Sequence, residues 1–525
     1  MIRNCIFTIA LTLGCVLSSS AQSPGEAVFA GIQVHTINLR FSQTDYWDSL
    51  KFYYAQGDEQ YIIAQAVIDG ENYDRIGVRL KGNSSYNHPN DKKSFRLAFD
   101  EYVDTCRWDG LKGVHLNNMW GDPSFMREKL HLDFCRDAGI AAPRGSYARL
   151  LINDTLFAFY SMVEHVDKTL LDSRFSNKSG DLFKAVDGYG AMDTVYSDFR
   201  WFGSDTASYL PRYELKTDGS VTAWHQLIGF IDTLANQPDP VSFFSRKVDL
   251  PLLCRTFATD NLLGNLDSYM GSGRNFYVYF HSKTGVMQWV AWDAGLSFGA
   301  YGTLVPNPKT MSVTYSPSGA VRPLLATIFN QPALKNEYLH SLCSLVTTQF
   351  TEARLFPHID SIANIIRPYV AEDQRKMYTT QQFETNLVAD ITATGGGSVT
   401  KPGLKNFISQ RAASVVSQLT ALGISCTTGI ETDDVPHPLD LELSQNYPNP
   451  AARSTLFRYF LPEEGHAVLI VYDALGRVVT TLVDRVENAG MHSVHFDAGD
   501  VPSGIYRCVL THGSRIAVRT AAVLH

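Results

Sequence analysis

Residues 75–99 read RIGVRLKGNSSYNHPNDKKSFRLAF, two alternating segments separated by a polar loop. Apolar and polar residues alternate over 75–81 and again over 94–99, which is the period of a strand with one buried face. Gly, Asn, Ser and Pro fill the loop between them, and these residue types favour turns. The segment therefore predicts a β-hairpin.

Helices and further strands follow this hairpin along the chain. Residues 124–138 predict a helix with apolar faces, and Gly139 ends it. Residues 147–166 predict two strands around the Asn153–Asp154 turn, and a last amphipathic helix ends at Gly423. The mixture predicts an α+β body over residues 27–424.

Composition excludes several classes of protein. The chain has 525 residues, of which 45% are hydrophobic and 19% are charged. These fractions are typical of a folded globular protein rather than a disordered or fibrous one. The formal net charge is −8, whereas binding to nucleic acid or anionic lipid requires a basic surface. We therefore expect no nucleic-acid partner.

The first residues predict a secretory signal peptide over residues 1–21. Arg3 supplies a positive charge, an apolar run extends from Cys5 to Leu17, and small residues up to Ala21 form a cleavage site. A lipoprotein alternative would acylate Cys15, although the residues before it match the required box poorly. Because no apolar run reaches the ~18 residues of a membrane-spanning helix, we expect no transmembrane anchor.

Six cysteines follow the predicted signal peptide, and no two of them form a Cys-x-x-Cys pair. This spacing indicates neither a zinc ribbon nor a thioredoxin-type site. An exported chain can pair its cysteines, so disulfides and buried thiols both remain open.

Three polar clusters in the body lie in or beside apolar segments, at residues 265–269, 274–279 and 288–293. They contain Asp267, Asn275 and Asp293, whose oxygen atoms suit a hard cation such as Mg²⁺. In phosphoryl transfer one Asp positions the acceptor hydroxyl, while an Asn and a second Asp hold metals over the phosphates. No P-loop, zinc-protease helix or nucleophile elbow favours another chemistry. Asp and Asn at strand ends also cap turns, so a structural role remains open.

Several spaced motifs of the body resemble the spore-coat CotH kinase family, in the family's order and over nearly the whole body. The motifs are VRLKGNSS (78–85), KSFRLAFD (93–100), LNN (116–118), DPSFMRE (122–128), VEHVD (163–167), NLDSY (265–269), NFYVY (275–279) and WD (292–293). The resemblance implies an atypical, two-lobed protein-kinase-like domain that is secreted.

The resemblance also implies a reaction and its central residues. The reaction would transfer the γ-phosphate of ATP to Ser, or to Thr, of exported proteins in the presence of Mg²⁺ or Mn²⁺. Asp267 would be the catalytic base or would position the hydroxyl, and Asn275 and Asp293 would be metal ligands. The interval from Asp267 to Asn275 is longer than in ordinary kinases.

Four more residues are implied to bind the nucleotide. Lys81 and Arg96 would neutralise the ATP phosphates, and Glu128 would form an ion pair with the lysine. Ser84 lies in a loop that would close over the phosphates. Arg96 stands where a lysine is expected, although Arg suits phosphate well. In the alternative reading, Lys81 and Arg96 lie on exposed strand faces and Glu128 is a surface charge.

The last part of the chain has a different pattern. Residues 425–440 lack an apolar period and predict a linker, and residues 441–525 predict an all-β domain with the architecture of a small Ig-like sandwich. This tail resembles the type A C-terminal sorting domain of the type IX secretion system. The matching segments are LSQNYPNP (443–450), VYDALGR (471–477), AG (489–490) and SGIY (503–506).

The tail resemblance implies a partner and a location. The chain would engage the type IX secretion machinery and pass through the periplasm to the outer cell surface, where it would be attached or released. An ordinary Ig-like module for adhesion or spacing is the alternative. For the whole chain, two functions of different class remain: an exported protein kinase, and a catalytically inactive surface scaffold or adhesion protein on the same fold.

Overall fold

The computed structural model describes residues 23–57, 59–186, 196–217, 220–302, 304–317, 321–394, 398–426, 441–443, 446, 449–451, 454–488, 490–499, 501–513 and 515–524. The chain divides into two compact units after Cys426. The predicted signal peptide, residues 1–21, lies outside the described residues, as do residues 427–440 of the predicted linker and several residues of the first sorting-domain motif.

A closed β-barrel forms the first half of the body. Its strands are β1 (Val34–Arg40), β2 (Ile62–Ile68), β3 (Glu71–Lys81), β4 (Ser94–Ala98), β5 (Gly113–Asn117), β6 (Gly145–Ile152) and β7 (Thr155–Glu164). They are arranged in the order β1-β2-β3-β4-β5-β7-β6. Alternate side chains such as Val78, Leu80 and Phe95 fill the barrel interior. Strands β3 and β4 pair from Gly77–Ala98 to Lys81–Ser94, which confirms the predicted hairpin.

Three helices accompany the barrel: α1 (Glu26–Phe29), α2 (Tyr46–Ala55) and α3 (Arg127–Asp137). The sequence predicted that α3 begins at Ser124, three residues too early. Asp122 explains the difference, because its carboxylate accepts hydrogen bonds from the backbone N–H groups of both Ser124 and Arg127. Phe125 has a positive φ of 56° in this turn, which lies outside the helical region.

The second half of the body is mainly helical and has its own hydrophobic core. Its helices are α4 (Lys168–Phe175), α5 (Val221–Asn236), α6 (Pro240–Lys247), α7 (Leu250–Leu262), α8 (Pro323–Asn330), α9 (Pro332–Thr348), α10 (Glu352–Glu372), α11 (Thr380–Val388) and α12 (Leu404–Ala421). Its strands are β8 (Asp181–Ala185), β9 (Tyr213–Leu215), β10 (Phe276–Phe280), β11 (Met287–Ala291), β12 (Ile391–Thr394) and β13 (Ser398–Lys401). Four of them form a sheet in the order β11-β10-β8-β9. The body is therefore a mixed α+β structure, as predicted.

The second unit consists of two β-sheets around one buried core. Its strands are β14 (Glu442–Leu443), β15 (Ser454–Leu461), β16 (Gly465–Tyr472), β17 (Val478–Glu487), β18 (Gly490–Asp497), β19 (Gly504–His512) and β20 (Arg515–Val523). One sheet has the order β14-β15-β18, and the other has the order β17-β16-β19-β20. The predicted strands on either side of the 473–477 turn are present as β16 and β17.

Two of the cysteines that the sequence left open form a disulfide. Cys343 in α9 is bonded to Cys426, which follows α12. Cys106, Cys135, Cys254 and Cys508 are free thiols, and the last three are buried. None of the helices in the described part of the chain is long and apolar enough to cross a membrane.

A buried ion pair joins the loop after β3 to the helical half of the body. The Nζ of Lys92 lies 2.7 Å from Oδ2 of Asp373, just after α10, and both side chains are almost fully buried. Asp373 also accepts hydrogen bonds from the backbone N–H groups of Phe159 and Arg375. The pair therefore anchors one end of the 82–93 loop.

We predict that Lys92→Met lowers the free energy of unfolding of the body by about 3–5 kcal/mol, because it leaves the Asp373 charge buried without its cation. Urea unfolding followed by tryptophan fluorescence measures this, since all seven tryptophans precede residue 293. Arg354→Met is the matched control, because its pair with Asp137 is half exposed and should contribute about 1 kcal/mol or less. Equal losses in the two variants would contradict the prediction.

Candidate functional site

Lys81 ends strand β3 and points out of the barrel. Its Nζ donates a hydrogen bond of 2.7 Å to Oδ1 of Asn117 and lies 5.5 Å from the centre of the Trp292 ring. Desolvation lowers the pKa of Lys81 to about 8, while the charges of Asp293 and Glu128 raise it. Lys81 is therefore still largely cationic at neutral pH.

Glu128 lies in the first turn of α3 and is buried. Its carboxylate accepts hydrogen bonds from Nδ2 of Asn117, at 2.8 and 3.0 Å, and from Oγ of Ser161, at 2.8 Å. Desolvation and, secondly, the charge of Asp293 raise its pKa to about 7, although the hydrogen bonds from Asn117 and Ser161 oppose the rise. Glu128 can therefore gain or lose a proton near neutral pH.

The family resemblance implies an ion pair between Lys81 and Glu128, whereas in the structure both groups are hydrogen-bonded to Asn117 instead of to each other. The amide of Asn117 stands between the two groups, with its oxygen toward Lys81 and its nitrogen toward Glu128. Strand register produces the arrangement: Lys81 is opposite Ser94, and Asn117 is opposite Ser161. The sequence predicts no separate role for Asn117, because an Asn at the end of a strand is also typical of a turn.

Two of the predicted metal-binding and catalytic residues, Asn275 and Asp293, lie at one end of the β10–β11 hairpin. Phe276 pairs with Ala291, so Asn275 precedes one strand where Asp293 follows the other. Both residues have a positive φ, 62° and 52° respectively, a region that Asn and Asp tolerate better than most residues. Nδ2 of Asn275 donates a 2.7 Å hydrogen bond to the backbone carbonyl of Asp267, which joins the third residue to the group.

Hydrogen bonds to Asp260, a residue of α7, hold the loop that carries Asp267. The backbone N–H and the side-chain amide of Asn265 donate to the backbone oxygen and to Oδ1 of Asp260, both at 2.8 Å. Ser268 donates through Oγ to the backbone carbonyl of Asn265. Asp267 is partly exposed between these anchored residues.

The group formed by Asp267, Asn275 and Asp293 has the donor atoms that suit Mg²⁺ or Mn²⁺. Two carboxylates and an amide offer hard oxygen ligands, and Mg²⁺ in phosphotransferases often takes one or two carboxylates together with substrate phosphates. The described residues contain no cluster of three or more His, Cys, Asp or Glu side chains that could hold a metal alone. A metal here would therefore depend on the Asn275 amide and on oxygen atoms from the substrate.

The other two predicted nucleotide-binding residues lie beside the Lys81–Asn117–Glu128 group. Arg96 is buried on β4, and its guanidinium donates to the backbone carbonyls of Leu97 and Val114. The guanidinium of Arg96 is thus hydrogen-bonded to the barrel backbone. Ser84 is partly exposed in the 82–93 loop, between Gly82 and Ser85, whose backbone carbonyls accept hydrogen bonds from side chains.

Three side chains donate hydrogen bonds to backbone carbonyls of the 82–93 loop. The Tyr54 hydroxyl donates a 2.6 Å hydrogen bond to the carbonyl of Gly82, and Nδ2 of Asn118 donates a 3.2 Å bond to that of Ser85. Lys93 donates to the carbonyl of Tyr86 at 2.6 Å. These contacts hold the polar loop beside Lys81.

Sequence reasoning also missed Lys184 and a histidine pair. Lys184 lies on β8 opposite Tyr277, and its charge lowers the pKa of Lys81. His115 lies 2.9 Å from His165 between ring nitrogens and 5.1 Å from Trp292 between ring centres. Desolvation holds the pKa of both histidines well below the usual value, so both are neutral. No motif in the sequence marks Lys184, because one lysine in an alternating strand is ordinary.

Comparison with known proteins identifies relatives for the body. The sequence model of the CotH kinase protein family matches residues 78–415, which is more than half of the chain. Inner spore coat protein H of Bacillus subtilis is 26% identical, over 67% of this chain and 90% of that protein. Spore coat protein homolog 1 of Rhizopus delemar is 23% identical, over 66% of this chain and 57% of that protein.

Two further matches are more distant. Invasin CotH7 of Rhizopus delemar is 23% identical over 57% of this chain, which spans about half of the fungal protein's length, 50%. A solved structure of the Shewanella oneidensis HipA and HipB toxin–antitoxin system with its operator DNA is 12% identical, with a TM-score of 0.25, over 59% of this chain and 58% of that one. A TM-score this low supports no inference.

We predict that Glu128→Gln gains stability relative to the wild type as the pH rises. The pKa of Glu128 is raised from 4.5 to about 7 in the folded protein. Its contribution to stability is therefore complete below pH 4.5 and is lost as the pH rises through 7. At about 1.4 kcal/mol for each pH unit between the two pKa values, the difference in unfolding free energy should change by about 3 kcal/mol.

Urea unfolding at pH 4.5, 6 and 8 measures this difference. Glu59→Gln serves as the control, because the Glu59 side chain is 66% exposed and its effect should not change over this range. A Glu128→Gln effect that is the same at all three pH values would show that the carboxyl titrates normally.

Proposed function

The chain belongs to the CotH kinase protein family, and we propose that it is an exported protein kinase. The proposed reaction transfers the γ-phosphate of ATP to the hydroxyl of Ser, or of Thr, in exported or surface proteins. One observation carries the proposal: Nζ of Lys81 lies 5.5 Å from the centre of the Trp292 ring, and Trp292 directly precedes Asp293. This contact supports a site in which the phosphates lie between Lys81 and the predicted metal ligands Asn275 and Asp293.

Phosphoryl transfer requires positioning and charge compensation more than covalent chemistry by the protein. Lys81 supplies a cation for the ATP phosphates, and the Asn117 amide keeps its ammonium group in place. Lys184 adds a second positive charge nearby. The partly exposed Ser84 lies in a loop anchored at both ends, close enough in the chain to Lys81 to cover the same phosphates.

Asp267 would orient the acceptor hydroxyl and accept its proton. The amide of Asn275 donates a hydrogen bond to the backbone carbonyl of Asp267. This bond holds the backbone of Asp267 beside a predicted metal ligand and so limits where its carboxylate can lie. Asn275 and Asp293 would hold Mg²⁺ or Mn²⁺, which supplies charge neutralisation on the phosphates when bound. The remaining contribution of the chain is to hold these groups rigidly.

We propose further that the protein acts at or beyond the outer cell surface, after passing through the periplasm. The predicted signal peptide and the sorting-domain motifs of the all-β tail support this location, with the type IX secretion machinery as the partner of an Ig-like tail. The names of the relatives, spore coat proteins and invasins, describe surface proteins.

A catalytically inactive surface scaffold or adhesion protein is the second candidate. The names of the fungal relatives called invasins favour it, since those names describe attachment or entry rather than catalysis. The retained set of Asp267, Asn275 and Asp293 favours the kinase. A direct assay separates the two.

We predict that the mature chain transfers labelled phosphate from ATP to serine residues with Mg²⁺ or Mn²⁺, and that Asp267→Asn and Asp293→Asn each reduce the rate by at least about 100-fold. The reason is that each variant keeps the size of the side chain but removes its charge. Radiolabelled ATP, a denatured-casein acceptor and phosphoamino-acid analysis measure the rate and the acceptor residue.

Asp104→Asn is the matched control, because Asp104 is exposed in the loop between β4 and β5. Its rate should equal that of the wild type. Incorporation that is equal in all four proteins indicates a contaminating kinase, and no incorporation by the wild type favours the scaffold function.

For the tail, we predict that deletion of residues 441–525 leaves an intact body in the periplasm of a host that has type IX secretion. The reason is that the tail forms its own compact unit and carries the sorting motifs. Cell fractionation and protease treatment of whole cells locate the body. A chain of equal length with an unrelated β-domain as its tail is the control, and surface display of either altered chain would contradict the prediction.

A further inference from the structure

We propose that Asn117 is a positioning residue of the phosphotransfer site, whose amide sets the orientation and charge state of the Lys81 ammonium group. The inference rests on the proposed kinase function and concerns the same site. It assigns to a neutral side chain the role that a direct lysine–carboxylate ion pair was expected to fill.

The chemistry of the two neighbours fixes the orientation of the amide. An ammonium group can only donate hydrogen bonds, and an ionised carboxylate can only accept them. The amide oxygen must therefore face Lys81, at 2.7 Å, and the amide nitrogen must face Glu128, at 2.8 and 3.0 Å. Asn is one of the few side chains that carry an acceptor and a donor at these two positions, and Asp and Leu have the same shape without this pair.

The backbone around Asn117 keeps the amide in place. Asn117 is the last residue of β5 and pairs with Ser161 of β7, whose hydroxyl binds the same Glu128 carboxylate. The next residue, Asn118, donates through its backbone N–H to Oγ of Ser94 and through its side chain to the carbonyls of Ser85 and Lys92. The strand end is thus tied to the loop beside Lys81.

The Asn117 amide between Lys81 and Glu128 carries no charge, and this affects the electrostatics of Lys81. Glu128 does not touch Lys81, so the positive charge of Lys81 is not cancelled at contact distance and remains available to an anionic ligand. Lys81 also keeps an acceptor when Glu128 gains a proton, because the amide oxygen does not titrate. The amide oxygen is a partner for the charged form of Lys81, and its removal should make loss of the proton easier.

Two substitutions should therefore move the titration of Lys81 in opposite directions. Asn117→Asp places a carboxylate against the ammonium group and should raise the alkaline midpoint of kcat/KM for ATP by about one pH unit or more above that of the wild type. Asn117→Ala removes the acceptor and should lower that midpoint. Both variants should raise KM for ATP at least ten-fold, the first through repulsion of the phosphates and the second through loss of orientation.

The experiment uses the full mature chain. Steady-state rates over pH 6–10 give kcat and KM for ATP, and binding of a fluorescent ATP analogue with Mg²⁺ gives affinity without turnover. Asn364→Asp is the matched control, because Asn364 is exposed on α10, and its midpoint and KM should equal those of the wild type. Asn117→Asp preserves the shape of the side chain, and the oxygen that replaces the amide nitrogen can share a proton with the Glu128 carboxylate. Circular dichroism measures whether each variant folds.

The outcomes are distinct. Opposite shifts of the midpoint support the inference, as does an upward shift in Asn117→Asp alone if the alanine variant does not fold. An unchanged midpoint and KM in an active wild type and in Asn117→Asp overturn the inference and leave the kinase function standing, as does a loss of rate with no change of midpoint. A wild type that neither binds the analogue nor transfers phosphate overturns the proposed function itself.

Discussion

The register of four antiparallel strands places the charged groups of the site. Lys81 is opposite Ser94, and Asn117 is opposite Ser161; the pairing of Phe95 with Leu116 sets Ser94 beside Asn117. Because side chains alternate between the two faces of a strand, a register slip of one residue would turn the polar side chains of the slipped strand into the apolar barrel interior. Burial of the hydrophobic side chains inside the barrel thus keeps Lys81 and Asn117 on its outer face.

The opposite side of the site depends on a second hairpin, β10–β11, and on two residues in the left-handed backbone region. Asn275 and Asp293 are at the same end of this hairpin, so their relative position follows from strand pairing and not from a flexible loop. The charge of Asp293 raises the pKa values of both Lys81 and Glu128. Desolvation acts against the charged form of each group and is the larger effect in both, which is why the two pKa values approach each other near neutral pH.

Sequence reasoning located the elements of this site better than its connections. Alternating polarity predicted the β3–β4 hairpin, and a turn predicted the pairing of β6 with β7. The start of α3 was misplaced because a capping carboxylate, Asp122, acts from a position that sequence preference does not single out. The grouping of Asp267 with Asn275 rests on one side-chain to backbone bond, and that contact has no signature in spacing alone.

The hydrogen-bond partners of Arg96 and Asn117 also have no signature in the sequence. Both lie on the outward face of the barrel, two residues apart in register, and sequence alone cannot say which of them meets Lys81. The structure gives Lys81 the amide, whereas the guanidinium of Arg96 bonds to backbone carbonyls. A guanidinium against Lys81 would add like-charge repulsion in a desolvated place, and a carboxylate would cancel its charge. An amide avoids both effects, because it satisfies the hydrogen bonds of Lys81 and Glu128 and leaves the positive charge of Lys81 uncancelled at contact distance.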